Sequence, residues 1–390
     1  MARLLSDAER LDWLQLIRTP RIGPMTFFKL LDVYGTAANA LQALPSRLSK
    51  GAKVADRSAA QNELDHADKK GVYVLARGEP NYPRGLAAIP DPPPLLFVRG
   101  DTALLNKRTV AIIGARNASA VGKRMTRTLA RELGAEKLVI ASGLARGVDG
   151  AAHEASIDTG TVAVVAGGVD VIYPPEHDQL TEDIAARGAV ISEQPLGRRP
   201  TARDFPRRNR LISGLSLGVV IVEAAERSGT LITARFALEQ GREVFAVPGS
   251  PLDPRAKGPN GLIKQGAYLI ETAQDIINEL PSEMSAFNAG DQSALRMTPA
   301  GWAAGGNFGA DASNRGLAPS APGAASDQKA EAAAVEAVRG ALSYAPAHID
   351  DIIDSCDAPV GLVLNALMTL VLAGDADEAP GGAFTLAEAS

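Results

Sequence analysis

The sequence predicts an α/β fold: a Rossmann-like, doubly wound parallel sheet, with a helical domain of SAM or helix-hairpin-helix type before it and a winged-helix domain after it. Three observations lead there. Residues 71–280 alternate short apolar β-type runs with helical stretches, the pattern of a parallel sheet covered on both faces. Residues 1–70 carry apolar side chains at helical spacing. Residues 329–390 spell three helices followed by a glycine-turned hairpin. At 390 residues the chain exceeds one ordinary domain. The expected parts are 1–70, 71–280, a linker at 281–328, and 329–390.

In the first part, Leu11, Leu14, Leu16 and Ile17, then Phe27, Leu30 and Leu31, have the spacing of two helices. Pro20-Arg21-Ile22-Gly23-Pro24 turns between them. Such a turn either joins a plain helical hairpin or offers backbone N–H groups to a phosphate at the start of the second helix. In the central part the expected strands are Val72–Leu75, Leu95–Val98, Val110–Ile113, Leu138–Ala141, Val162–Val165, Ala189–Ser192, Val219–Val222, Val244–Val247 and Tyr268–Ile270. Helices with polar faces, such as Val121–Leu133, Asp178–Ala186 and Thr230–Gln240, separate most of them. Residues 281–328 are rich in Ala, Gly, Ser, Asn and Pro without a period, the composition of a flexible linker. Helices at Ala332–Leu342, Ile349–Asp354 and Val360–Ala373 then precede Asp375–Leu386, where Pro380-Gly381-Gly382 turns the hairpin.

Charge is spread unevenly. The formal net charge is −5, yet residues 1–70 carry +3, residues 71–280 carry +2 and residues 281–390 carry −10. The acidity belongs to the tail and does not oppose nucleic-acid binding by the first 280 residues. The single cysteine, Cys356, excludes an intramolecular disulfide and fits a reducing cytoplasm. Arg3, Asp7, Glu9 and Arg10 break any signal-peptide pattern. The longest uncharged run, Ala358 to Gly374, has 17 residues and includes Asn365 and Thr369. It predicts a buried helix rather than a membrane span. The expected location is the cytoplasm, with no membrane partner.

Ligands of doubly wound sheets bind beyond the carboxyl ends of the strands, and five segments at that edge carry chemistry. Between Arg198 and Arg210 six arginines meet one acid, Asp204, a local charge of +5. Such density repels itself unless an anion or the protein's own acids balance it. The interleaved Phe205 adds a ring on which a base can stack. The segment is read as a loop, with Arg203, Phe205, Arg207, Arg208, Asn209 and Arg210 as candidate contacts. After Val110–Ile113, Gly114 permits close backbone approach, Arg116 lies near a positive helix start, and Ser119 can cap that helix and present a hydroxyl. Arg116 stands where the dinucleotide fingerprint needs its second glycine, which disfavours a close-packed pyrophosphate. After Leu138–Ala141, Ser142 and Gly143 begin another loop. There Asp149 either caps a helix or receives Arg116 or Arg146. His153, among alanines, is expected to be packed rather than catalytic, since no nucleophile or second base accompanies it. After Val162–Val165, Ala166-Gly167-Gly168 leads to Tyr173, whose ring either stacks on a base or closes the sheet. After Val219–Val222, Ser228, Gly229 and Thr230 begin a helix and form either a phosphate cradle or a simple cap. The histidines are scattered and Cys356 is alone, so no metal-ligand spacing appears. No catalytic residue, metal or cofactor is expected.

Taken in chain order, five stretches resemble the DprA/Smf family, the DNA-processing proteins of bacterial transformation. They are Ile112-Ile113-Gly114-Ala115-Arg116-Asn117-Ala118-Ser119; Ser142-Gly143-Leu144-Ala145-Arg146-Gly147-Val148-Asp149-Gly150-Ala151-Ala152-His153; Phe205-Pro206-Arg207-Arg208-Asn209-Arg210-Leu211-Ile212-Ser213-Gly214-Leu215-Ser216; Val222-Glu223-Ala224 with Ser228-Gly229-Thr230; and Val247-Pro248-Gly249. The resemblance covers the central domain, and the flanking domains more loosely. It implies a non-enzymatic protein that binds and protects single-stranded DNA and helps load the RecA recombinase. It also implies a homodimer through the Rossmann-like domain, with Arg116 and the Phe205-to-Arg210 segment lining the DNA groove. Some family members place a lysine three residues before the phenylalanine; here Ala202 holds that place and Arg203 follows. The loops also resemble a different class, the nucleotide enzymes that include cytokinin-activating phosphoribohydrolases. Those carry a Pro-Gly-Gly-x-Gly-Thr loop with a paired catalytic Arg and Glu, whereas Ser228-Gly229-Thr230 here lacks the preceding glycine pair. In winged helices that read DNA, a helix brings basic side chains to the major groove. The candidate here, Val360–Ala373, has no Lys or Arg, and residues 329–390 carry net −8. The winged domain is therefore expected to meet a protein or the chain's own core rather than DNA.

Overall fold

The computed structural model describes residues 3–48, 53–281, 326–343, 345–356, 358–379 and 381–387. The expected linker falls outside the described residues from 282 to 325, as does Pro380 of the expected hairpin turn. The chain divides into two units, Met1–Gln15 with Asp56–Met297 and Leu16–Ala55 with Thr298–Ser390. Four helices precede the sheet: α1 (Asp7–Arg18), α2 (Pro24–Tyr34), α3 (Ala37–Ala43) and α4 (Arg57–Lys69).

The first unit is organised by a nine-stranded sheet. Its strands are β1 (Tyr73–Ala76), β2 (Leu95–Gly100), β3 (Thr109–Ile113), β4 (Val139–Ser142), β5 (Thr161–Val164), β6 (Ala189–Ser192), β7 (Gly218–Ile221), β8 (Glu243–Ala246) and β9 (Tyr268–Leu269). The order across the sheet is β1-β2-β6-β5-β4-β3-β7-β8-β9. Every expected strand is present, displaced by no more than two residues at either end. From β6 to β9 all pairings are parallel. At one edge the doubly wound parallel sheet carries antiparallel strands, since β1–β2 and β2–β6 are antiparallel. Parallel partners need a crossover, usually a helix that carries the chain back. Between β1 and β2 there is only α5 (Arg84–Ala87) and the proline-rich stretch Pro90 to Pro94.

The remaining helices of this unit are α6 (Ala120–Ala135), α7 (Val148–Ser156), α8 (Asp178–Arg187), α9 (Asp204–Leu215), α10 (Gly229–Glu239), α11 (Lys257–Lys264) and α12 (Ala273–Glu279). They cover both faces, and alternation along each strand feeds both cores. On β3, Val110 and Ile112 face the core built with Leu129 and Leu133 of α6, whereas Ala111 and Ile113 face the one built with Leu211 and Leu215 of α9. The chain runs outward from β3 through β4, β5 and β6, then returns to lay β7 on the other side of β3. The switch point lies between β3 and β7.

In the second unit α13 (Ser326–Ala341), β10 (Ala347–His348), α14 (Ile349–Ser355), α15 (Val360–Ala373), β11 (Ala376–Ala379) and β12 (Ala383–Leu386) form a winged helix. Its sheet is ordered β10-β12-β11. The two-residue strand β10 is too short to leave a period-2 signal in the sequence. Val338, Ile352, Val363, Leu367, Val371 and Phe384 form the core, and Met25 of α2 packs against it. The turn before α2 is held by the winged domain. The Glu378 carboxylate accepts the amides of Met25 at 3.1 Å and Thr26 at 3.4 Å, and the Thr26 hydroxyl at 3.1 Å. A Cβ on Gly23 would lie 2.5 Å from that carboxylate, so a larger residue there would displace the Glu378 side chain. The α2 amides raised above as a phosphate seat thus bind a side chain of the protein itself.

Candidate nucleic-acid interface

The arginine-rich segment is not a loop throughout. From Asp204 it is the helix α9. Asp204 is buried and accepts hydrogen bonds from the Thr201 amide at 2.7 Å, the Thr201 hydroxyl at 2.8 Å and Arg198 Nη2 at 2.8 Å. That closes the turn from which the helix starts, and Leu211, Ile212 and Leu215 at helical spacing carry it into the core. The density of arginine made the segment look solvated. The helix instead sorts its arginines: Arg203 and Arg207 are exposed, whereas Arg208 and Arg210 are buried.

Arg208 points into the sheet. Its Nη1 donates to the Gly143 carbonyl at 2.6 Å and to the Val164 carbonyl, and its Nε to Asn209 Oδ1 at 3.3 Å. Asp149 lies beside it and accepts the amides of Gly143 at 3.1 Å and Ala145 at 3.3 Å. The arginine whose charge bears on the acid is therefore Arg208, neither Arg116 nor Arg146. Burial pushes the Arg208 guanidinium down to about 10, with Arg116 adding to the shift and Asp149 opposing it, so it stays charged at neutral pH. Burial likewise pushes Asp149 up, while Arg208 holds it down. Gly143 is glycine because a Cβ there would lie 2.7 Å from Arg208 Nη2 and 2.8 Å from Asp149 Oδ2. Arg210 turns the other way, with Nε 3.1 Å from Asp91 and Nη2 2.5 Å from Glu193. Its charge faces the buried Asp91 and the half-buried Glu193, so the structure turns it inward rather than toward the strand-end pocket.

Above Arg208, the Arg116 guanidinium lies over the Phe205 ring at 5.1 Å from the centroid. The Tyr173 ring packs on Phe205 at 5.5 Å, tilted by 51°. Together they form an aromatic ledge with a cation on one side and a half-exposed phenol on the other. The ledge opens on a pocket of about 410 Å³ lined by Arg116, Gly143, Arg146, Tyr173, Phe205 and Arg208, among others. The loops after β3, β4 and β5 and the first turns of α9 meet there. Arg146 at its edge pairs with Glu176. Asn117 and Arg146 line this pocket without being candidate contacts in the sequence, and so does Tyr173, whose ring the sequence offers either to stack on a base or to close the sheet.

Other candidates are spent elsewhere. Ser142 is buried, and its hydroxyl donates to the Ile112 carbonyl at 2.6 Å. Gly114 packs under Val148, where a Cβ would lie 2.6 Å from Cγ2. Ser119 caps α6 as expected, taking the Gly122 amide at 2.9 Å, but presents no hydroxyl to a ligand. Its hydroxyl and amide both go to the Glu223 carboxylate, at 2.5 and 2.9 Å. Ser228 caps α10 through the Thr230 amide at 3.2 Å and bonds the Thr230 hydroxyl at 3.0 Å, so this start is a capped helix. Gly229 is exposed and linked to α9 through Asn209 Nδ2 at 3.4 Å. His153 is fully buried with Nδ1 2.7 Å from Thr161 Oγ1, and burial pushes it down to about 3. It is a neutral packing residue.

Comparison with known proteins bears on the whole chain. Residues 73–281 match the family model described as DNA recombination-mediator protein A. The chain belongs to that family. Residues 7–66 match the DprA-like N-terminal HHH domain, and residues 319–382 the DprA winged helix domain. The DNA processing protein DprA of Bacillus subtilis is 49% identical over 216 residues, covering 55% of this chain and 73% of that protein. Protein Smf of Escherichia coli is 42% identical over 227 residues, covering 57% of this chain and 61% of that protein. The X-ray structure of DprA from Streptococcus pneumoniae aligns with a TM-score of 0.61 and 31% identity, over 71% of this chain and 99% of that one. Among the described residues no helix is long and apolar enough to cross a membrane.

Proposed function

We propose that this member of the DNA-processing family binds single-stranded DNA without strong sequence preference, in the pocket beside the Phe205 ledge. The observation that carries the reading is the stack of Arg116 on Phe205 at the mouth of that pocket. A guanidinium on an aromatic face supplies a phosphate contact and a stacking platform at one place, and both tolerate any base. Arg203, capping α9, and Arg207 within it are exposed and would extend the electrostatic footprint. Arg208 supports the site from within. The bound strand would be protected and passed to a RecA-type recombinase during transformation. Residues 71–280 would carry the strand and pair two copies, and the acidic winged domain would serve a protein contact rather than DNA. The protein would work in the cytoplasm and without catalysis.

The enzyme alternative is disfavoured by Glu223. At the switch point between β3 and β7 a nucleotide enzyme holds phosphate on the start of the helix after the first strand. Here a carboxylate occupies the start of α6.

Fluorescence anisotropy with labelled single-stranded oligonucleotides of mixed sequence tests the reading. Arg116→Ala and Phe205→Ala should each weaken binding, and Arg116→Ala should flatten the salt dependence. Unchanged affinity in the Arg116→Ala, Phe205→Ala double variant would reject the site. Hydrolysis of nucleotide monophosphates by the wild type would favour the enzyme. Light scattering at micromolar concentration should report a dimer, and a RecA strand-loading assay in the presence of single-strand-binding protein tests the recombinase partnership.

A further inference from the structure

We infer that Glu223, an acid on the rim of an anion-binding edge, is the positioning residue that sets Arg116 on its ledge, and that removing its charge weakens DNA binding instead of strengthening it. The inference rests on the single-strand reading above. The loop that carries Arg116 runs from Gly114 to Ser119, between the end of β3 and the start of α6. Glu223 touches both ends of it. Its backbone carbonyl lies 3.0 Å from where a Cβ on Gly114 would stand. Its carboxylate takes the Ser119 amide at 2.9 Å and the Ser119 hydroxyl at 2.5 Å. The same carboxylate fills the space over Gly122, where a Cβ would lie 2.5 Å from Oε1. Ser119 in turn caps α6 through the Gly122 amide at 2.9 Å. Both oxygens are thus committed to one short loop, by hydrogen bonds of the charge-assisted kind. Arg255, from the turn before α11, also bears on Glu223 electrostatically.

Counting charges leads to the opposite expectation. An acid beside a phosphate-binding arginine repels the ligand, so its neutralisation should tighten binding and steepen the salt dependence. Holding the loop predicts the reverse, because a loosened loop withdraws Arg116 from Phe205 and loses a phosphate contact.

Glu223→Gln in the full chain separates the two. It keeps the shape but loses the charge, and one of its two terminal atoms can no longer accept. We expect single-strand affinity to fall about three- to tenfold, with the salt slope flattened by about 0.7, the value for one phosphate contact on a single strand. In an Arg116→Ala background the same change should alter affinity by less than twofold. Tighter binding by Glu223→Gln would overturn the inference. So would an equal loss with and without Arg116, since Glu223 would then act elsewhere. Circular dichroism and thermal melting identify any variant that fails to fold, and Glu223→Asp then serves as the milder probe, with partial loss expected. A readout without DNA separates this inference from the function it rests on. Side-chain protons of Arg116 over the Phe205 ring should show an upfield ring-current shift in NMR spectra, lost in Glu223→Gln. If that shift is unchanged, Glu223 does not position Arg116. If it is lost while the wild type binds no DNA, the positioning stands and the proposed ligand is wrong.

Discussion

Replacing Arg208 with alanine should unfold the site before it empties it. Arg208 and Asp149 are each about 6% exposed. The guanidinium satisfies the carbonyls of Gly143 and Val164 and balances Asp149. Removing one partner of a buried pair leaves the other as an uncompensated charge, at a cost of about 3–5 kcal/mol. For a domain of this size each kcal/mol shifts the melting temperature by about 2–4 °C, so a fall of about 6–20 °C is expected. The loss should also depend on pH. Without Arg208 the Asp149 carboxyl rises further above its unfolded value. The folded state of the variant then holds more protons than the unfolded state in that window, and its stability falls as pH rises through it. The deficit relative to wild type is therefore smaller at pH 5 than at pH 8. An Arg208→Met, Asp149→Asn double variant removes both charges and keeps an acceptor for the Gly143 and Ala145 amides, so it should recover at least half of the loss. The assay is thermal unfolding followed by circular dichroism without DNA at both pH values. An Arg208→Ala protein that melts within about 2 °C of wild type yet loses DNA affinity tenfold would refute this reasoning and make Arg208 a ligand contact.

Arg210→Ala should behave as a core lesion too, losing about 3–5 kcal/mol because the buried Asp91 is left without its cation; guanidinium chloride titration measures it, and a fully stable variant with weakened DNA binding would contradict the inward assignment. Phe205→Ala, in contrast, should cost about 1–3 kcal/mol of single-strand affinity if it stacks one base, read by anisotropy with the wild-type salt slope kept, whereas Arg116→Ala flattens it. His153 gives a stability signature in acid. Its folded value of about 3 lies below the ordinary value near 6.5. The unfolded chain therefore takes up a proton first, and the stability present above pH 6.5 is lost as pH falls toward 3, at about 1.4 kcal/mol per unit. Denaturation at pH 7.5 and 5.5 should show a steeper decline for wild type than for a folded His153→Gln protein; identical declines would count against it.

The inner strands β3 to β7 were legible because each is an apolar run buried on both faces, a pattern that needs no tertiary information. Arg116 and Phe205 were legible as a pair of chemistries, and their loops converge. The direction of each arginine was not. Arg208 and Arg210 are two residues apart on a helix and face different partners. Those partners, Asp149, Asp91 and Glu193, are remote in sequence. Charge density also hid α9, although Thr201 three residues before Asp204 and the spacing of Leu211, Ile212 and Leu215 carried the helical signal. Ser119, Ser142 and Ser228 show the complementary failure. A hydroxyl at a strand end reads equally as ligand contact or cap, and the nearest carbonyl, carboxylate or amide decides which.

The hold of Glu378 on the start of α2 has a consequence for synthesis. The hairpin at Leu16–Ala55 leaves the ribosome well before the winged helix that shares its unit. At about 5–20 residues per second, the roughly 270 residues between Ala55 and Ser326 delay that partner by roughly 15–55 s. Throughout that interval the amides of Met25 and Thr26 have only water to bond. The nascent chain can assemble its sheet meanwhile, but the hairpin must wait for the winged domain's strands.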